Sequence, residues 1–156
     1  MGCFLLFLGG TSMQAQDYDY IGAAKCKMCH NKASTGAQYK IWADGPHAKA
    51  MEVLSAEEAK DPKCNKCHAT AATVDPSYLA GLTMDEGVSC ETCHGPGSGY
   101  KSNSIMKDRQ KSIENGLIIP DEQLCRKCHN EESPTFKGFN FEEYVKKIAH
   151  PNPAKE

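Results

Sequence analysis

The chain has 156 residues, 24% of them charged, and a formal net charge of −2: a single-domain length with no electrostatic footprint for nucleic acid. Apolar residues make up 40% and aromatics 8%, enough for only a modest polypeptide core. Eight of the nine cysteines fall in four copies of one short motif, which leaves no pairs for a disulfide framework.

In chain order, residues 1–16 read as an export signal or leader remnant, with an apolar run from Phe4 to Leu8 and small residues ending near Ala15. That run is far short of the roughly 20 residues that cross a bilayer, and Cys3, the ninth cysteine, directly precedes it. Residues 17–156 are expected to form a single domain. An extended stretch leads from Asp17 to Cys26-Lys-Met-Cys29-His30, followed by an amphipathic segment over 33–43 carrying Tyr39, Ile41 and Trp42. Asp44-Gly45-Pro46 breaks it, and Pro46 suits the first turn of a helix that carries His47 and runs to about Lys60. Asp61-Pro62 opens Cys64-Asn-Lys-Cys67-His68, and residues 70–86 link onward with weak helical character around Pro76 to Leu82.

The third copy is Cys90-Glu-Thr-Cys93-His94, and Gly95-Pro96-Gly97 directly after it ends the helix. Glycine takes positive φ there, and absent side chains let backbone lie close against a bound group. Pro120 starts a helix with Asp121 and Glu122 in its first turn, and the fourth copy, Cys125-Arg-Lys-Cys128-His129, hangs from that helix's end. Last, Asn140 is placed to cap a helix whose Phe141, Tyr144, Val145 and Ile148 repeat at i, i+3, i+4 and i+7. His150 falls off that stripe and Pro151 stops the helix beside it.

Each copy reads CxxCH, the attachment signature of a c-type haem. Cysteines three apart occupy adjacent sides of one helical turn, so both thiols reach the two vinyl groups on one porphyrin edge. The histidine that follows faces the iron as proximal ligand. Zinc is the competing reading, because paired CxxC motifs also build zinc ribbons. Uneven spacing argues against it, and so does the fifth position: with six histidines in the chain, drawing one at all four positions is an event of about two in a million. The implied cofactors are four haem c groups with their iron, covalently held by Cys26, Cys29, Cys64, Cys67, Cys90, Cys93, Cys125 and Cys128. His30, His68, His94 and His129 are their proximal ligands.

Four porphyrins in so short a chain would themselves form the core, since each offers a large apolar face to a stripe of short helix. The expected fold is therefore mainly α with extensive loops and little or no sheet, a multihaem cytochrome c. Each iron has a second face, and two histidines remain, His47 and His150, which are the candidate distal ligands. Methionine is the alternative donor. Of Met28, Met51, Met84 and Met106, the last is the best placed, with an ordinary apolar contact as the competing account.

Two longer strings extend the pattern. One is Trp42, then His47-Ala48-Lys49-Ala50-Met51; the other is Gly87-Val88 leading through Cys90-Glu91 to Cys93-His94-Gly95-Pro96-Gly97. With the four motifs, they make the chain resemble the tetrahaem cytochrome c-554 family over about Tyr20 to His150. The resemblance implies that His47 is the distal ligand of the His94 haem, that His150 serves the His129 haem, that the His68 haem is five-coordinate, and that the haems stack in close pairs. The family's distal histidine for the first haem, about ten residues after the third motif, has no counterpart in "GSGYKSNSIMK", which leaves Met106 as the substitute for the His30 haem.

The expected function is electron transfer by an exported, periplasmic or extracellular protein rather than catalysis. Its partners would be redox proteins met transiently, a membrane-associated donor or acceptor among the candidates. Reduction of a nitrogen oxide at an open His68 haem, and assembly into an extracellular cytochrome polymer, are the competing readings.

Overall fold

The sequence alternates cysteine-bearing turns with Gly, Pro and Asn breaks, and the helices are correspondingly short. The computed structural model describes residues 17–153; the leader, with Cys3, lies outside them. Eight α-helices are present among the described residues: α1 (Ala23–His30), α2 (Gln38–Asp44), α3 (Pro62–His68), α4 (Cys90–His94), α5 (Asn103–Met106), α6 (Arg109–Glu114), α7 (Glu122–Arg126) and α8 (Phe141–Ile148). The longest have eight residues, well under the roughly 12–15 at which an isolated helix becomes marginal in water. Their stability must come from what they lie against. Among the described residues no strand forms; one isolated parallel bridge joins Tyr20 to Leu79. The fold is mainly helical, without sheet, as expected.

Side-chain caps start the helices where the sequence offers them. Asp61 accepts from Lys63 N–H with Pro62 in the first turn of α3, Asp121 accepts from Leu124 N–H at α7, and Asn140 accepts from Glu143 N–H at α8. Three expectations are corrected. The long helix from His47 to Lys60 is absent: the chain makes turns at 46–49 and 3₁₀ turns at Ala50–Val53 and Glu58–Lys60. A backbone hydrogen bond from Val88 and the close approach of Gly87 compete for that segment, as described below. The 33–43 segment is split by Gly36 (φ 101°) and Ala37 (φ 49°), so helix begins only at Gln38. In the fourth motif α7 ends at Arg126, and Cys128 and His129 lie in the turn beyond it.

The core is small. Among the described residues the buried apolar side chains are Ile21, Ala23, Ala69, Ala71, Leu82 and Tyr100, while the largest fully buried ones are Glu91, Ser89 and Ser112. A polypeptide that buries a glutamate more completely than any leucine is not held by an oily interior of its own.

Candidate haem-binding site

The two strings that carry the resemblance meet in one joint. The Trp42 indole donates to the Val88 carbonyl at 2.8 Å, and Val88 N–H donates to the His47 carbonyl at 2.9 Å. Gly87 (φ 61°) lies where a Cβ would stand 2.6 Å from the His47 carbonyl oxygen, so only glycine permits this approach. Ala50, three residues after His47, accepts at 2.6 Å from Nδ1 of His68. One short stretch thus braces the approach to the third motif and orients the imidazole of the second.

Glu91, between the cysteines of the third motif, is 1% exposed. Its carboxylate accepts from the N–H groups of Ile21 (3.0 Å), Gly22 (2.8 Å) and Gly97 (2.6 Å). Glu86 accepts from Ala23 N–H at 2.8 Å and from the Ser89 hydroxyl at 3.1 Å. Both carboxylates therefore sit at the start of α1, where unsatisfied N–H groups and the helix dipole favour negative charge. They bind the first motif to the third. Burial pushes the Glu86 carboxyl above its ordinary range, with the Glu91 charge adding to the shift and the hydrogen bonds from Ala23 and Ser89 opposing it. Sequence reasoning missed this clamp because the residues between the cysteines look free to vary. The available signal was Glu91's place inside the Gly87–Gly97 string.

Gly-Pro-Gly also does something more specific than expected. A Cβ on Gly95 would meet the Gly116 carbonyl oxygen at 2.5 Å, and one on Gly97 would meet Ile21 Cδ1 at 2.8 Å. The close approach is to the chain itself. Tyr100 seals it, its hydroxyl donating to the carbonyls of His94 (3.0 Å) and Gly95 (3.1 Å).

The thiols are arranged motif against motif. The Cys90 thiol hydrogen-bonds to the Cys26 sulfur, which pulls Cys26 down and pushes Cys90 up. Cys93 lies near Cys125 and is pushed up to about 11, mainly by burial. Cys128 lies against Cys67 and is pushed up to about 12, again mainly by burial. In space the attachment points therefore run first, third, fourth, second. Among the described residues, no three or more His, Cys, Asp or Glu side chains gather as a metal cluster.

The histidines fall into pairs. The rings of His94 and His150 have centroids 5.8 Å apart, and those of His47 and His129 are 6.1 Å apart. Two imidazoles on opposite faces of one iron, each with metal–nitrogen distances of about 2.0–2.1 Å, would have centroids about 6.3 Å apart, so both pairs fit an iron between them. The pairing corrects the one implied by resemblance: His47 faces His129 rather than His94, and His150 faces His94 rather than His129. The His47 backbone is tied to Val88, just ahead of the third motif, but its ring lies against the fourth. Phe139 stacks on the His129 ring (4.9 Å, 14°) and Tyr144 packs on Phe139 (5.0 Å).

Burial lowers the pKa of His47, His94, His129 and His150, with the partner histidine adding to the shift at His47 and His94. Neutral rings are the ligating form. Nδ1 of His94 lies 3.4 Å from the Ile118 carbonyl; as at His68, donation there leaves Nε2 free for a metal. Among the described residues no second imidazole pairs with His68. Met106 closes α5, half-buried, whereas His30 adds to the lowering at His94 and His150. Beside the second, third and fourth motifs a cleft of about 610 Å³ is lined by Cys67, Thr70, Glu91, Thr92, Leu124 and Cys128 among others, a size suited to a bound cofactor. The donor set, ring separations and thin core together fit haem c.

A family model described as "Cytochrome c554 and c-prime" matches residues 25–95. The chain is 28% identical over 186 positions to cytochrome c-554 of Nitrosomonas europaea, covering 89% of this chain and 77% of that protein. It is 26% identical over 117 positions to the C-type polyheme cytochrome OmcC of Geobacter sulfurreducens, covering 49% of this chain and 15% of that much longer protein. The solved structure of reduced cytochrome c554 from N. europaea aligns with a TM-score of 0.61 at 26% identity, covering 85% of this chain and 84% of that one.

Proposed function

We propose that this chain, a cytochrome c-554-like electron-transfer protein, carries four haem c groups and works outside the cytoplasm, in the periplasm or beyond it. The observation that carries the reading is the two imidazole pairs at 5.8 and 6.1 Å, each joining a CxxCH histidine to a histidine remote in sequence. When bound, haem iron supplies a one-electron couple.

The chain's own residues set the conditions for it. Cys26, Cys29, Cys64, Cys67, Cys90, Cys93, Cys125 and Cys128 tether the porphyrins, and His30, His68, His94 and His129 stand on the proximal side. His150 and His47 complete the His94 and His129 sites. Met106 remains the candidate for the His30 site. The order first, third, fourth, second brings neighbouring attachment points into contact, which keeps the sites close enough for transfer without a bound substrate. Two-histidine sites would have the lowest potentials, and a histidine–methionine site the highest. Haem propionates, about eight charges against about four returned by ferric centres, would make the holoprotein more acidic than the sequence and favour a partner with a basic docking patch.

Among the described residues no helix is long and apolar enough to cross a membrane. A second reading, reduction of a small nitrogen oxide, is favoured at one place only: His68, whose ring has no imidazole partner and is fixed by Ala50. Electron paramagnetic resonance of the ferric holoprotein tests both. Electron transfer predicts two low-spin sites lost one at a time in His47→Ala and His150→Ala, with the first variant perturbing the His129 site. A ferric protein with no low-spin signal would refute the assignment.

A further inference from the structure

His150 lies beyond the end of α8, with Ala149 extended and Pro151 after it, so helix geometry alone does not fix its ring against His94. Something else must hold the segment. The Gln38 side-chain amide donates to the Pro151 carbonyl at 3.0 Å, 113 residues away, and also to the Thr35 carbonyl. The Thr35 hydroxyl in turn lies 3.1 Å from the Cys29 carbonyl and 2.9 Å from that of Lys32. Gly36 (φ 101°) passes beneath the same segment: a Cβ there would stand 2.5 Å from the Pro151 carbonyl oxygen and 3.1 Å from Pro153 Cδ. Oε1 of Gln38 is buried without a partner, a cost tolerated where the amide's donors are needed.

We propose that Gly36 and Gln38 form a clip that positions His150 as the distal ligand of the His94 haem, so that the loop after the first motif controls whether the third site is closed. The inference rests on the haem reading above and names positioning residues, since neither side chain touches the ligating ring. It gives the third site a releasable ligand. A bis-histidine iron whose second imidazole depends on one amide and one glycine opens when either is lost, while the covalent attachment stays intact.

The test uses exported holoprotein. Intact mass first counts haems in wild type and in Gln38→Ala, Gly36→Ala and His150→Ala; fewer than four in wild type would overturn the haem reading and this inference with it. With four present, carbon monoxide is titrated into the ferrous proteins. His150→Ala should bind about one equivalent more than wild type. Gln38→Ala should gain most of the same equivalent, reversed by added imidazole, and Gln38→Ala/His150→Ala should gain no more than His150→Ala alone. Gln38→Ala carries the test even where Gly36→Ala fails to accumulate. A wild-type stoichiometry in Gln38→Ala beside a gain in His150→Ala would overturn the clip, and no gain in His150→Ala would remove its premise.

Discussion

The half of the molecule around the first and third motifs and the half around the second and fourth solve the same problem differently. In the first, two carboxylates take four backbone N–H groups, glycines let backbone approach backbone, and Tyr100 closes the turn. In the second, the surfaces are joined by the exposed Lys66–Glu132 pair at 2.5 Å and the His129–Phe139–Tyr144 stack, and a wide cleft lies between this half and Tyr20, Glu91 and Thr92 of the other. One half is preassembled by polar contacts within the polypeptide. The other borders a volume that side chains do not fill, and a bound cofactor there would supply the cohesion the polypeptide lacks.

The contrast breaks most sharply at the thiols. Cys64→Ala/Cys67→Ala removes an attachment from the half that lacks such polar contacts and should abolish accumulation of exported protein. Cys26→Ala/Cys29→Ala, in the half held by Glu91, Glu86 and Tyr100, should leave a coloured protein short of one haem, with yield and intact mass as the readouts. Equal loss in both would show that the halves do not differ in this way.

Glu91→Ala comes next. It strands three buried N–H groups and should cost on the order of 3–5 kcal/mol in denaturant unfolding of the holoprotein. Glu91→Gln, which turns one acceptor oxygen into a donor facing Gly22 N–H, should cost about 1–3 kcal/mol.

A subtler effect belongs to Glu86. Its folded carboxyl titrates above the ordinary 4.5 because it is buried, so the folded state holds that proton more tightly than the unfolded chain. The stabilisation is fully present below pH 4.5 and is lost as pH rises through the folded value. Glu86→Gln should flatten this fall, read as the difference between wild-type and variant unfolding midpoints across that window. A difference that grows in the opposite direction would show that the group is not held protonated by burial.

Smallest of all is Lys66→Ala: both partners of its ion pair are exposed, 44% and 68%, and the midpoint should not move measurably. A clear loss there would mean the second half depends on surface charge rather than on a bound group.

The motifs, the cap at Asn140, the helix opening at Asp61-Pro62 and the lack of sheet among the described residues were legible because each depends on residues close in sequence. The clamp at Glu91 and the exchange of distal histidines were not. Glu91 acts on Ile21 and Gly22, about 70 residues away. The His47 backbone docks near one motif while its ring meets another, and no local pattern encodes that. Where a helix was expected after His47, its carbonyl accepts from Ala50 N–H in a tighter turn and from Val88 N–H across the fold, a long-range demand that competes with helix propensity.

Intact mass spectrometry of the exported protein tests the central claim most directly. The account predicts the mass of the mature polypeptide plus four haems, retained under denaturing conditions because the bonds are covalent. The mass of bare polypeptide, or a haem complement released on denaturation, would contradict it.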